Sequence, residues 1–299
     1  MNTYLGEIAA LSTAVCWAIT STFFTIGGKH IGSVNVNRIR LIFAIVYLSL
    51  THLVLKGEII PLHIEGFRWF WLGLSGIIGL ALGDSFLFQA LVLVGAHISM
   101  LLMSLVPIFS TLIAWFMLGE SLSFIKIFAI FITIGGIVLV VLNKKELRTD
   151  TIKNKYLLGI FLGIGGALGQ ATGLIAAKKG LVGNFSELSG TLIRVLVATF
   201  FLWLFTLIIG KAAPVLKAVK NKRAMSIVAA GAFTGPFLGI WLSMVAIKLT
   251  YIGIASTLMA LPPIILLPIS HWVFKEKITL LSIIGTFIAV LGAAIIFLT

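Results

Sequence analysis

Apolar residues in this chain come in long blocks and not in alternation. Runs of about 17–25 apolar residues recur from end to end, each bounded by charged or turn residues, and each is long enough to cross a hydrocarbon core about 30 Å thick as an α-helix. Dividing the chain at its charges and turns predicts ten such helices. They lie near residues 5–26, 39–55, 68–91, 96–118, 124–142, 156–177, 189–209, 225–247, 253–274 and 278–298. Gly, Pro and Asp interrupt the third and the eighth. The two longest basic connections run from Asn143 to Lys155 and from Gly210 to Arg223. The expected fold class is an all-α polytopic membrane protein.

Composition narrows the functions such a fold can have. Of 299 residues, 60% are hydrophobic and only 10% charged, against about 25% charged in a soluble domain. Mean hydropathy is +1.18. The net charge of +13 would suggest nucleic acid in a soluble chain, but the Lys and Arg residues fall mostly between apolar runs and form no basic stripe. They read as topology signals, with a lipid bilayer and no nucleic acid as the partner. Cys16 is the only cysteine, which excludes intrachain disulfides and Cys-based metal clusters. No Walker A sequence or other cofactor motif is present, so ATP-driven pumping by this chain alone is excluded and no cofactor or metal is expected. The first run carries Glu7 and no basic leader, so it reads as a retained helix and not as a cleaved signal peptide.

The chain also resembles itself. A shift of 156 places Pro107 on Pro263, Met103 on Met259, Glu120 on Glu276 and Gly136 on Gly292, with 12 identities in 46 positions between 95–140 and 251–296. Gly79 and Gly83 fall on Gly235 and Gly239. A slightly smaller shift pairs Arg40 with Arg194 and Gly6 with Gly159. Residues 1–142 and 156–299 are therefore read as two repeats of five helices, joined by a connection over 143–155. Five is odd, so the second copy enters the membrane from the opposite side. Inverted repeats of this kind are typical of secondary transporters, which bind substrate near the midplane between the halves.

Specific motifs agree with that reading. Gly83-Asp84-Ser85-Phe86-Leu87-Phe88-Gln89-Ala90, Gly95-Ala96-His97, Pro107 and Leu118-Gly119-Glu120 precede a Gly-containing fifth helix. Together with a degenerate second copy around Pro263 and Lys275-Glu276-Lys277, they resemble the EamA domain. Two such domains in tandem characterise the ten-helix members of the drug/metabolite transporter superfamily. The resemblance covers nearly the whole chain. It implies a transporter of small molecules, with members exporting amino acids, metabolites or drugs, and it does not single out a substrate. The second copy departs from the pattern, with Phe274-Lys275-Glu276 where the first has Leu118-Gly119-Glu120.

Few residues are available for chemistry inside the bilayer. Of nine acidic residues, seven fall in loops or at helix ends, and Glu7 and Asp84 are the exceptions. An ionisable group within a span is a functional candidate by default. Asp84 is thus a candidate for proton coupling or for binding a substrate amine, or else it caps a break among Gly73, Gly76, Gly79 and Gly83. Glu7 is a second coupling candidate. Arg194, five residues into the seventh span, and Arg40, at the start of the second, have the geometry to hold a carboxylate; snorkelling to the interface is the alternative. His97, at the start of the fourth span, and His271 titrate near neutrality, without companions that would complete a metal site.

Polar, aromatic and Met side chains are the candidates for a substrate cavity. Thr13, Trp17, Thr20 and Phe24 share one face of the first helix, and Gln170 is near the repeat counterpart of Trp17. Ser85 and Gln89 lie one turn apart on the third helix, Trp241 is on the eighth, and Met100, Met103 and Met259 offer adaptable apolar contacts. Helix–helix packing is the alternative role for each. Pro107 and Pro263, at equivalent repeat positions, are candidate hinges.

Counted with the first residues of the spans that follow them, connections after odd-numbered spans hold 15 Lys and Arg, and those after even-numbered spans hold six. The positive-inside rule places the former in the cytoplasm, whereas the family resemblance implies cytoplasmic termini. The reading as a whole is a secondary active transporter in a plasma membrane of prokaryotic type, exporting a small-molecule substrate by alternating access. A channel or receptor is the first alternative, and a membrane-embedded enzyme is disfavoured by the scattered acids.

Overall fold

The computed structural model of the chain describes residues 4–118, 123–142, 150–183, 185–249 and 258–298. Among them all regular structure is helical. The helices are α1 (Leu5–Ile31), α2 (Ser33–Lys56), α3 (Gly66–Val94), α4 (96–118), α5 (Phe124–Leu142), α6 (Asp150–Gly180), α7 (Glu187–Ile208), α8 (Ala212–Val219), α9 (222–249), α10 (Pro262–Phe274) and α11 (Leu280–Leu298). Among the described residues eight helices are long and apolar enough to cross a membrane; α10 is apolar but shorter, as is the stretch Leu280–Ile296 of α11. The region expected at 253–257, like Glu120 and the connection at 143–149, lies outside the described residues.

Three boundaries differ from the sequence reading. The expected connection over 27–38 is reduced to Gly32, whose φ of +85° reverses the chain at little steric cost. Consequently α2 begins at Ser33, and Arg40 is its eighth residue and not its second. The basic stretch 210–223 is not simply a loop but contains α8, whose Val215 is buried while Leu216 and Lys217 are exposed. The interruptions expected in the third and eighth spans are wide, π-helical turns at Gly76–Gly83 and Phe233–Gly239. They occupy matching places under the 156-residue shift.

Packing follows the repeat. α1 lies along α9 and α3 lies along α6, a pair of contacts that exchange of the two halves maps onto each other. α2 pairs with α7, and α5 with α11. Small residues make the close approaches. A β-carbon added at Gly169 would stand 2.7 Å from the Cα of Gly83, and one at Gly173 would stand 3.0 Å from that of Gly79, so α3 and α6 meet backbone to backbone. Gly136 is pressed in the same way on the Gly285 carbonyl and Ala289 backbone of α11. Large apolar side chains such as Phe116, Phe161, Phe200 and Trp272 are 69–85% exposed. A soluble surface would not carry so many, whereas acyl chains would cover them.

Candidate functional site

The most polar part of the interior lies where α2 and α3 meet α6 and α7. Arg40 and Arg194 are each the eighth residue of their helices, about 10 Å along the axis from the helix start. Each is 3–4% exposed. Buried among helices to that degree, neither side chain reaches out to the surface as the interfacial alternative requires. Burial of a guanidinium among helices requires partners, and Arg40 has them. Its Nη2 forms an ion pair with Asp84 Oδ2, its Nε donates to Asn37 Oδ1 at 3.0 Å, and Nη2 also reaches the Leu80 carbonyl at 3.3 Å. The guanidinium carbon lies 4.6 Å from the centre of the Phe88 ring and 5.9 Å from that of Phe24, within reach of a cation–π attraction.

Asp84 is the other anchor. It follows the wide turn of α3 directly, where the change in helical register aims its carboxylate across to α2 and α6. Oδ2 takes Arg40, and Oδ1 accepts from Gln170 Nε2 at 2.5 Å. Gln170 Nε2 is also 3.4 Å from the Gly79 carbonyl. Asn37 Nδ2 donates to Ser85 Oγ at 2.8 Å, and Ser85 Oγ donates to the Ala81 carbonyl at 2.5 Å. Ser33 Oγ donates to Gln89 Oε1. Ser85 on α3 and Gln170 on α6 therefore belong to one cluster with Asp84, whereas Gln89 is paired with Ser33.

Arg194 differs from its repeat mate. Its Nε is buried without a hydrogen-bond partner, and it forms no ion pair among the described residues. Its Nη2 and the Gln170 Oε1 each lie 3.8 Å from where a β-carbon would sit on Gly79. The two groups thus converge on the space in front of Gly79.

The remaining candidates are elsewhere. Thr13 is fully buried and donates to Ala9 within its own helix. Thr20 Oγ1 donates to the Gly231 carbonyl at 2.5 Å and is 2.9 Å from Thr234 Oγ1. Trp17 lies against Gly239. The α1 face thus packs against α9 at Gly239, as Gln170 of α6 packs against Gly83 of α3 at the equivalent place in the repeat. Trp241 packs with Phe237 beside α2 and α7. Met100 and Met103 pack on the cluster containing Phe24 and Phe88, whereas Met259 lies with Ala9, Ala10 and Ala246. His97 is buried, with Nε2 3.1 Å from Thr286 Oγ1. Since Thr286 Oγ1 gives its proton to the Ser282 carbonyl at 2.6 Å, the histidine nitrogen is the donor. His271 Nδ1 donates to the Glu276 carbonyl, 3.1 Å away. Glu7 is half-buried near the start of α1. Pro107 follows a 3₁₀ turn at Met103–Leu105 that interrupts α4, and Pro263 is the second residue of α10; both stand at breaks. Asn37, Phe24 and Phe88 were not singled out as ligands of Arg40 by sequence, though Asn37 and Arg40 at i and i+3 in an apolar context were the available signal.

This is an all-helical, multi-pass membrane protein of transporter type, built from two copies of one unit around a buried charged cluster. The sequence pattern of the EamA-like transporter family matches residues 4–142 and again 157–298, and the chain belongs to that family, a family of transporters and not of enzymes. A comparison with curated proteins gives no significant match. Among solved structures, one described as "Crystal structure of protein" superposes with a TM-score of 0.63 at 15% identity, over 97% of this chain and 95% of that one, a likeness of fold alone.

Proposed function

We propose that the protein is a secondary active exporter of small metabolites, amino acids or drug-like molecules, with ten spans arranged as two inverted halves that rock about a central site in a prokaryotic-type plasma membrane. The observation that carries the reading is the Arg40–Asp84–Gln170–Arg194 cluster at the seam of the two repeats, where alternating access needs its site. Outward direction rests on the resemblance to drug/metabolite exporters. The breaks at Pro107 and Pro263 serve as hinges, and Asp84 carries the coupling proton, taking it up when the halves separate and Gln170 of the second half withdraws from its Oδ1. The α1–α9 contact at Thr20, Thr234, Trp17 and Gly239 is one of the seals that must part.

Purified protein in proteoliposomes tests this by saturable counterflow, with and without a pH gradient. Conductance that does not saturate would instead establish a channel. Full gradient-driven transport by Asp84→Asn would remove Asp84 as proton carrier, and unchanged cycling and kinetics in Pro107→Ala would remove the hinge.

A further inference from the structure

We infer that a groove between α2 and α7, on the outer surface of the bundle, binds one anionic phospholipid, with an acyl chain in the groove and the phosphate held by Arg38 and the cations of α8. The site lies apart from the Arg40–Asp84 cluster and does not depend on what the protein transports. The groove is an open cavity of about 420 Å³, lined by Ile42 of α2 and by Thr199, Phe200, Trp203, Leu204 and Leu207 of α7. Ile42, Phe200, Leu204 and Leu207 are exposed, so its walls belong to the surface that meets lipid. From Thr199 to Leu207 it runs about 12 Å along α7, most of the roughly 15 Å depth of one leaflet's hydrocarbon. Thr199 spends its hydroxyl proton on the Val195 carbonyl, so the groove suits an apolar chain.

Charge sets the headgroup. Four residues beyond Leu207, Lys211 opens a stretch that continues through Lys217, Lys220 and Lys222 to Arg223, all exposed. The sequence has no Asp or Glu between Glu187 and Glu276. α8 lays these cations beside the start of α2, where Val215 packs with Val36 and Ile39. Arg38 lies one turn before Ile42, on the same face of α2, and helical side chains lean towards the start of their helix, here towards α8. It is 4% exposed, with a buried Nε that has no partner, and it forms no ion pair among the described residues. The indole Nε1 of Trp203, whose ring is part of the groove wall, has no partner either. A buried cation without a counter-charge is costly, and a phosphate diester supplies the charge and the paired oxygens that a guanidinium fits. The other end of α2 is different: the connection at 57–65 carries Glu58 and Glu65 and no Lys or Arg. Attraction to anionic headgroups is therefore confined, along this helix pair, to the α8 end.

The test uses the full chain in mild detergent, titrated with phosphatidylglycerol or with phosphatidylcholine of the same chain length and read by native mass spectrometry and thermal unfolding. One phosphatidylglycerol per chain should remain bound and raise Tm, and phosphatidylcholine should bind roughly tenfold or more weakly. Arg38→Gln should weaken phosphatidylglycerol roughly tenfold to a hundredfold, as for a lost hydrogen bond to a charged group. Lys217→Gln should weaken it about fivefold, as for one cation near an anionic surface. Lys178→Gln, beyond the opposite end of α7, should leave it unchanged. Should Arg38→Gln fail to fold, Leu204→Trp decides: the position is 43% exposed and tolerates a larger ring, which fills the groove and should remove the one-to-one binding. Glycerol 1-phosphate, a headgroup without a chain, should not compete.

Equal affinity for phosphatidylcholine, or undiminished binding by Arg38→Gln or Leu204→Trp, would overturn the inference. Full competition by glycerol 1-phosphate would overturn it too, by assigning Arg38 to a soluble anion and not to a lipid.

Discussion

Asp84→Asn offers a measurable consequence of the buried ion pair. The substitution keeps the shape of the side chain but removes its charge and one of its two acceptors. Asp84 now accepts from Arg40 through Oδ2 and from Gln170 through Oδ1. An asparagine can serve one of those donors and presents an NH₂ to the other. One buried donor is left unsatisfied, at about 1–3 kcal/mol, and the Arg40 charge loses its counter-ion, so the expected total is about 3–5 kcal/mol. Arg40→Gln should cost a comparable amount, since it strands the Asp84 carboxylate. The double variant restores neutrality, so the two losses should not add, and a coupling above about 2 kcal/mol is expected. That threshold matters because an ordinary hydrogen bond between membrane helices contributes at most about 1–2 kcal/mol. Equilibrium unfolding of wild type, both single variants and the double variant in mixed micelles measures the cycle. Additive losses would refute the argument that the pair is held as ions in a dry interior.

Other outcomes are expected from the same geometry. Gly136→Ala should destabilise by about 1–3 kcal/mol through overpacking against Gly285 and Ala289; Gly135→Ala, with nothing within 4 Å of the new carbon, should be neutral or stabilising by up to about 1 kcal/mol, both read by thermal unfolding. Gly32→Ala should cost about 1–2 kcal/mol because of its positive φ, although its β-carbon meets no atom. In a Cys16→Ser background, a Thr20→Cys/Thr234→Cys pair should crosslink under oxidant and arrest counterflow until reduced; transport that continues through the crosslink would show that the α1–α9 seal does not need to part.

Periodicity carried the helical architecture, since long apolar runs leave little choice in a bilayer. It misplaced the first turn because a connection was expected between the charges at Lys29 and Arg38. A single left-handed glycine was enough, and Arg38 passed from a presumed loop, and Arg40 from the start of a span, into the interior. The repeat alignment correctly paired Arg40 with Arg194, but it could not tell that only one has a carboxylate, since Asp84 has the apolar Ile240 in the matching place. The shared face of Thr13, Trp17 and Thr20 was legible as periodicity. What it faces was not, because a polar stripe reads alike whether it meets a cavity or the neighbouring α9. The helix at Ala212–Val219 was hidden by length: eight residues, with three Ala, a Pro and a Lys among them, give too little pattern to separate it from a loop.

The wide turns of α3 and α9 have a consequence for sequence length. A π-helical turn closes its hydrogen bonds one residue further along than an α-helical one, so each turn holds, in effect, an inserted residue. Removing one residue from 76–83 would let α3 continue as ordinary helix, and everything beyond would rotate by about 100°. Asp84 would then turn away from Arg40 and Gln170, although no side chain of the cluster had been altered. Residue count in this segment is therefore as much a part of the site as residue identity, and a viable deletion there would need a compensating insertion before Asp84.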